Sequence, residues 1–197
     1  MKIVLASSNK HKVQEINDIS SSYGVQAEFI LPPDGFDPIE DGKTFQENSY
    51  IKARSAWELS KTWTLADDSG LCISALNGAP GLYSARYAET PELRINRVLG
   101  ELENASDRSA YFTCAMTLLN PEGKVEYSFE GRCEGSIIRE VRGKNGFGYD
   151  PIFLPNGYTK TMAELTEDEK NRISHRSVAL RKVLDYIKTN LLITEVH

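Results

Sequence analysis

The hydrophobic pattern at the start of the chain predicts a strand, a short polar turn and then a helix. The apolar side chains between Lys2 and Ala6 form an unbroken run, which is typical of a buried strand. A helix is predicted from about Lys10 to Ser22, with three apolar side chains on its inner face, Val13, Ile16 and Ile19.

Two capping boxes predict where later helices begin. Thr44 and Glu47 have the required spacing, so a helix is expected from about Phe45 to Lys61. Thr166 and Glu169 repeat this pattern at the start of the C-terminal helical region. Further along that region, four apolar residues at helical spacing predict one buried stripe, made of Leu180, Val183, Leu184 and Ile187.

The strand-like segments complete a mixed α/β pattern. A second short strand is predicted from Glu28 to Leu31, where two prolines end it. Alternating runs from Tyr111 to Leu119 and from Lys124 to Ile138 are joined by Asn120-Pro121-Glu122-Gly123, which predicts a long hairpin. Because strands and helices are interspersed without repeats, we expect one α/β domain.

Two adjacent carboxylates, Asp67 and Asp68, interrupt the segment TLADDSGLCI. In a strand, successive side chains point to opposite faces, so one of these carboxylates would face a group that attracts negative charge. The alternative is a turn, because Asp, Ser and Gly are common turn residues, and an isolated DDSG favours that interpretation. The local sequence leaves both possibilities open.

The composition of the chain argues against membranes and nucleic acid as binding partners. The 197 residues suffice for one domain with a substantial core, and they contain neither a bilayer-spanning apolar run nor the long apolar region of a signal peptide. The net charge of −5 is not that of a typical nucleic-acid-binding protein, which carries an excess of Lys and Arg. We therefore expect a soluble, cytoplasmic protein that binds neither nucleic acid nor membranes. Without a CxxC pair, the three cysteines are expected to be buried thiols: Cys72, Cys114 and Cys133.

The first turn of the first predicted helix is basic. Ser8 or Asn9 is a suitable N-cap, but Lys10, His11 and Lys12 follow it, where the helix dipole disfavours positive charge. A bound phosphate would remove this conflict, since free N–H groups at a helix start suit phosphate oxygens. A solvated basic turn is the alternative, and the spacing of a P-loop is absent.

Three more segments offer groups that suit a nucleotide, although each alone is also typical of a surface or a core. Asn48 and Lys52 share one helical face, and Glu40 precedes that helix. In the loop GKNGFGYDP, glycines surround Phe147, Tyr149 and Asp150, so the two aromatic rings could stack on a base or pack in the core. The segment EKNRISHRS groups three donors, Lys170, His175 and Arg176.

Five motifs, in this order, together resemble the inosine triphosphate pyrophosphatase (Ham1-like) family over nearly the whole chain. They are SSNKHK from Ser7, TFQENSYIKA from Thr44, LADDSGLCISALNGAPGLYSARYA from Leu65, GFGYDPIFLP from Gly146, and KTMAELTEDEKNRISHRSVAL from Lys160. The resemblance implies an elongated mixed α/β sheet with flanking helices, forming two lobes around a central cleft. It further implies a homodimer, dependence on Mg²⁺, and release of pyrophosphate from ITP, dITP and XTP.

The resemblance also assigns roles to individual residues. Asp68 is identified with metal binding and proton abstraction, and Glu40 with a second metal contact; Asp67 would point away and brace the turn. The substrate-binding positions are Ser7, Ser8, Asn9, Lys10, His11, Lys12, Lys52, Ser69, Phe147, Gly148, Tyr149, Asp150, Lys170, His175 and Arg176. No zinc site is expected, because His11 and His175 stand alone and His197 is terminal.

Two positions depart from the family pattern, and two other functions compete with it. Ser49 replaces a common Ala, and Ile39 stands where a second acidic residue often precedes Glu40, which weakens the assignment of Glu40 to the metal. A Maf-like nucleotide pyrophosphatase would act on other bases, but SSNKHK lacks the Ser-Pro-Arg-Arg type of turn. A non-catalytic nucleotide sensor would not need Asp68 together with Glu40.

Overall fold

A computed structural model describes residues 1–192 and contains one six-stranded sheet in the order β2-β1-β3-β4-β5-β6. β1 pairs in parallel with both β2 and β3, whereas β5 and β6 are antiparallel, so the sheet is mixed. The strands are β1 Lys2–Leu5, β2 Glu28–Ile30, β3 Thr64–Ile73, β4 Ser109–Leu119, β5 Val125–Ile137 and β6 Phe153–Pro155.

Within the described residues, five α-helices flank these strands in the sequence. They are α1 Lys10–Ser22, α2 Phe45–Ser60, α3 Pro91–Glu101, α4 Glu167–Ile173 and α5 His175–Tyr186, which continues into the π-helical turn Ile187–Leu191. Short 3₁₀ turns follow β3 at Ser74–Leu76 and Gly81–Arg86, and another precedes β6 at Asp150–Ile152. Among residues 1–192, no helix is long and apolar enough to cross a membrane.

The chain divides into two compact units, each with its own core. Unit 1 contains residues 1–68, 115–130 and the described residues from 179 onward, and unit 2 contains Ser69–Cys114 and Gly131–Val178. Small and apolar side chains such as Val4, Ala53 and Leu119 pack together in unit 1. In unit 2, larger side chains such as Phe112 and Phe153 form the core. Strands β3, β4 and β5 each contain residues of both units.

Most of the predicted elements are confirmed to within about two residues. The long hairpin forms as β4 and β5, and its turn is closed by Asn120, which hydrogen-bonds backbone groups of Gly123 and Lys124. The predicted stripe in the C-terminal region is fully buried. All three cysteines are buried thiols that form no disulfide among residues 1–192, as expected.

The structure decides one open alternative and corrects one prediction about local structure. The segment DDSG is not a turn but lies inside the continuous ten-residue strand β3, which has β1 and β4 as neighbours in the sheet. The capping box of α2 is only half formed: Thr44 accepts a hydrogen bond from the backbone N–H of Glu47, but the Glu47 carboxylate accepts from Lys43 N–H instead. The box at Thr166 and Glu169 forms completely.

Candidate functional site

The first turn of α1 places the basic residues where they were predicted, but their backbone is already partly engaged. Asn9 is the N-cap, and its Oδ1 accepts hydrogen bonds from the N–H groups of His11 at 3.0 Å and Lys12 at 3.3 Å. Ser7 Oγ in turn accepts from Asn9 N–H at 3.1 Å. Ser7 and Asn9 therefore fix the geometry of the turn, while Ser8, Asn9, Lys10 and His11 remain exposed.

Lys12 turns from this helix toward β3 and pairs with Asp67. The Lys12 Nζ lies 2.5 Å from Asp67 Oδ1, and the Asp67 residue is only 2% exposed. The expectation that Asp67 braces a turn is therefore wrong, because it lies within a strand and holds a lysine that is distant in sequence. This pair answers why β3 can carry a buried carboxylate: an ion pair offsets part of the desolvation penalty.

Asp68, the next residue of β3, lies in a different electrostatic environment. Burial raises the pKa of Asp68 to about 6; Lys52 and a hydrogen bond from Asn48 act to lower it, and the carboxylates of Glu40 and Asp67 raise it. Lys52 Nζ donates to the backbone carbonyl of Asp67 at 2.8 Å and lies 3.8 Å from Glu40 Oε1. Lys52 and Asn48, which share one face of α2, therefore both interact with Asp68.

The carboxylates around Asp68 fit a hard divalent cation. Among residues 1–192, no group of three or more His, Cys, Asp or Glu side chains is arranged to hold a metal by itself. Mg²⁺, however, is commonly bound by one or two carboxylates together with substrate phosphates and waters. Burial, and to a smaller extent the carboxylates of Glu40 and Asp67, raise the pKa of Asp68, and a cation bound at Asp68 and Glu40 would stabilise the charged form of Asp68.

Unit 2 contains a cavity of about 220 Å³ that is lined by all of the predicted base-binding residues except Lys170. Its mixture of aromatic, small and cationic side chains is typical of a site that holds a planar polar ring. The lining residues are Ser69, Gly70, Leu71, Ser84, Ala85, Arg94, Phe112, Phe147, Gly148, Tyr149, Asp150, His175 and Arg176.

The two aromatic residues of the loop GKNGFGYDP have different roles. Tyr149 is buried in the core of unit 2, and its hydroxyl donates to the Ser84 carbonyl at 2.6 Å. Phe147 is 59% exposed at the cavity, with Lys170 Nζ 4.3 Å from its ring centroid. Phe147 is therefore the ring that is free to stack on a ligand, whereas Tyr149 shapes the wall.

A buried ion pair holds this loop in place. Asp150 is 4% exposed and accepts hydrogen bonds from Lys170 Nζ at 2.6 Å and from Phe147 N–H at 3.0 Å. Gly146 adopts a φ of 77°, and a Cβ atom at this position would overlap the Asp150 carboxylate. Glycine at position 146 is thus required both by the backbone and by the close approach of Asp150.

The remaining wall of the cavity combines stacking with an unsatisfied donor. The rings of Phe112 and His175 lie nearly parallel, with their centroids 4.9 Å apart. Ser69 Oγ is buried and, within residues 1–192, makes no hydrogen bond. Such an orphaned hydroxyl in a cavity wall fits a ligand that supplies a polar atom.

Sequence reasoning missed six lining residues, Gly70, Leu71, Ser84, Ala85, Arg94 and Phe112. Ser84 belongs to a quoted motif, and its Oγ accepts from Leu71 N–H, so a buried serine in SARYA was an available signal. Phe112 was recognised only as part of a strand. Arg94 lies on α3, a helix that the hydrophobic pattern did not predict, and its approach to the cavity depends on tertiary packing.

Comparison with known proteins gives consistent matches over nearly all of the chain. The family model described as the Ham1 family matches residues 3–186. A dITP/XTP pyrophosphatase of Treponema denticola is 46% identical and covers 95% of this chain and 99% of its own length. Among solved structures, a HAM1 protein from Coxiella burnetii has a TM-score of 0.88 at 44% identity, covering 96% of this chain and 99% of its own. The Staphylococcus aureus Ham1 protein has a TM-score of 0.87 at 37% identity with the same coverage.

Proposed function

The chain belongs to the Ham1 family, and on this premise we propose that it hydrolyses deaminated purine nucleoside triphosphates such as ITP, dITP and XTP. The products are the nucleoside monophosphate and pyrophosphate. The reaction is hydrolysis of an acid anhydride, and its biological effect is to remove altered purines from the nucleotide pool.

The observation that carries this proposal is the adjacency of Asp68 and Ser69 in β3. Asp68 belongs to the group of carboxylates and lysines of unit 1, and Ser69 lines the cavity of unit 2. One peptide bond, about 3.8 Å between Cα atoms, therefore joins a charged group suited to phosphates to a cavity suited to a planar base. A nucleoside triphosphate carries both chemistries in one molecule.

At the phosphate end of the substrate, lysines bind the triphosphate and Asp68 activates the attacking water. Lys10 and Lys52 supply positive charge toward the β- and γ-phosphates, while Asn9 keeps the first turn of α1 in position. Asp68 orients the attacking water and accepts its proton. Asp68 and Glu40 would hold Mg²⁺, which would neutralise part of the charge of the triphosphate.

On the base side, donors select a carbonyl at C6. Hypoxanthine and xanthine have a 6-oxo group where adenine has an amine, so the Arg176 guanidinium and the Lys170 ammonium favour the deaminated bases. Phe147 stacks on the ring, and Ser69 Oγ meets a polar atom of the nucleoside. The C6 amine of adenine is itself a hydrogen-bond donor, so it would face these donors without an acceptor, which is unfavourable.

We further propose that the protein is a cytoplasmic homodimer. Both properties come from the family resemblance. Light scattering of the purified chain at micromolar concentration measures its mass directly, and a mass of 22.1 kDa would be that of a monomer and would contradict the dimer.

A panel of nucleoside triphosphates with pyrophosphate release as the readout tests the activity. ITP, dITP and XTP are expected to release pyrophosphate with Mg²⁺ present, while ATP and CTP release much less. Preference for a pyrimidine or a methylated base would favour a Maf-like enzyme. Tight binding of ITP without any release would favour a nucleotide sensor.

A further inference from the structure

Arg94 carries a guanidinium into the cavity wall without a carboxylate partner. It lies in the first turns of α3, and its Nε donates to the Ala88 carbonyl at 3.2 Å. Within residues 1–192, no other hydrogen bond or ion pair engages this guanidinium. By contrast, Arg97 on the same helix lies outside the cavity and pairs with Glu101 at 2.7 Å.

The carboxylate in the lining of the cavity already has a cationic partner other than Arg94. Asp150 is the acidic residue of its lining, and this carboxylate already accepts from the Lys170 ammonium. Arg94 therefore brings a guanidinium without a carboxylate partner to a cavity whose lining carboxylate is already compensated, and Arg176 is a second guanidinium of the same lining. A half-buried donor of this kind is favourable only with an acceptor that the ligand supplies.

The purines differ in how many acceptors they offer to two guanidiniums. Hypoxanthine has one exocyclic carbonyl, at C6, and only hydrogen at C2. Guanine adds an amine at C2, which is itself a donor. Xanthine has carbonyls at both C2 and C6, so it alone among the three provides an exocyclic acceptor for each arginine.

We propose that Arg94 is a specificity-determining residue that donates to the 2-oxo group of xanthine and disfavours the 2-amino group of guanine. This inference rests on the proposed function, because Arg176 is taken to serve the 6-oxo group. Arg94 thereby makes XTP the most tightly bound of the deaminated purine triphosphates. It also excludes GTP, which has the same C6 carbonyl as ITP and XTP and differs from them at C2.

The test compares Arg94→Met with the matched control Arg97→Met on three substrates, XTP, ITP and GTP. In Arg94→Met, kcat/KM for XTP is expected to fall about tenfold or more, since a hydrogen bond to a charged group is lost, while kcat/KM for ITP changes by less than about threefold. Arg94→Lys keeps the charge and should recover part of the preference for XTP. Arg97→Met should leave the ratio of XTP to ITP unchanged.

Binding of the products gives a readout independent of catalysis. By calorimetry, Arg94→Met is expected to weaken the binding of XMP about tenfold and to change the affinity for IMP by less than about threefold. Equal losses for XMP and IMP in both Arg94 variants would reduce Arg94 to a structural support of the Ala88 segment and overturn the inference. The proposed function would survive that result if the wild type still released pyrophosphate from ITP and XTP. A wild type that hydrolyses neither substrate would overturn both.

Discussion

Lys12 Nζ lies 2.5 Å from Asp67 Oδ1, so a helix at the start of the chain is joined to the strand that carries Asp68 by an ion pair across 55 positions of sequence. The Asp67 side chain is 3% exposed and that of Lys12 is 15% exposed. Because one partner is buried, this pair positions the first turn of α1 more firmly than a surface salt bridge would.

Lys12→Met is expected to lower the free energy of unfolding by about 3 kcal/mol, because it removes the cation beside a buried carboxylate. Urea denaturation followed by circular dichroism measures the change. Lys10→Met, in the same helical turn but exposed, is the control and should stay within about 0.5 kcal/mol of wild type. Adding Asp67→Asn to Lys12→Met should recover part of the loss; an additive double variant would show that the two side chains do not interact.

Asp68→Asn should keep the fold and lower kcat for ITP by about 10²-fold or more, because the amide neither accepts the proton of the attacking water nor holds a divalent cation well. Pyrophosphate release under saturating ITP and Mg²⁺ measures the effect. Asp185→Asn, an exposed carboxylate on α5, provides the matched control with normal kcat. Near-normal turnover of Asp68→Asn would remove Asp68 from the mechanism.

The raised pKa of Asp68 predicts a pH-dependent stability difference in the metal-free protein. In the folded state this pKa is about 6, above the usual 3.8, so ionisation of Asp68 opposes folding. The penalty is absent below about pH 4, grows between the two pKa values and is complete above about pH 6. In EDTA, Asp68→Asn should therefore melt at a higher temperature than wild type at pH 7.5, and this advantage should shrink toward pH 4.5. An equal difference at both pH values in scanning fluorimetry would contradict it.

If the ring stacks on the base, Phe147→Ala should lower kcat/KM for ITP and for ATP by the same factor, which corresponds to about 1–3 kcal/mol of transition-state binding. The ratio of the two substrates should stay constant, because stacking does not read the group at C6. The exposed position of Phe147 predicts little change in melting temperature. Tyr83→Ala removes another exposed ring, one that lies outside the cavity lining, and should leave kcat/KM unchanged.

Hydrolysis of ITP in ¹⁸O-labelled water should place the label in IMP and leave pyrophosphate unlabelled. Positive charge from the lysines favours pyrophosphate as the leaving group, and water attacks the α-phosphorus in line. Ser69 lacks a neighbouring base that would make it a covalent nucleophile, so a single step without a burst is expected. Mass spectrometry of both products decides; label in pyrophosphate would mean attack at the β-phosphorus.

Local sequence signals predicted the elements where one short segment determines the structure. Asn9 caps α1 because its side chain reaches N–H groups two and three residues ahead, and Thr166 with Glu169 closes a complete capping box in the same way. The hairpin between β4 and β5 likewise depends on a four-residue turn and on alternation in its flanks. In each case the interacting groups are close in the chain.

Features that depend on distant residues could not be predicted in this way. DDSG by itself is compatible with a turn, and it is a strand here because β3, whose neighbours in the sheet are β1 and β4, continues through it. Nothing near Tyr149 and Phe147 shows which ring is buried; the acceptor that decides it is the carbonyl of Ser84, 65 positions away. The site residues Asp68 and Lys52 were identified through the family motifs, whereas the partner of Lys12 became visible only with the fold.

The packed loop around Gly146 also limits how the substrate range of this protein could be redesigned. A side chain at Gly146 would collide with Asp150, and changing Asp150 would release Lys170 and the Phe147 N–H together. Libraries directed at the loop would therefore yield mostly misfolded or inactive clones. Helix α3 offers a more tolerant route: Arg94 reaches the cavity from a regular element whose neighbouring position Leu93 is exposed. New base preferences are best selected by varying α3 while the loop is kept intact.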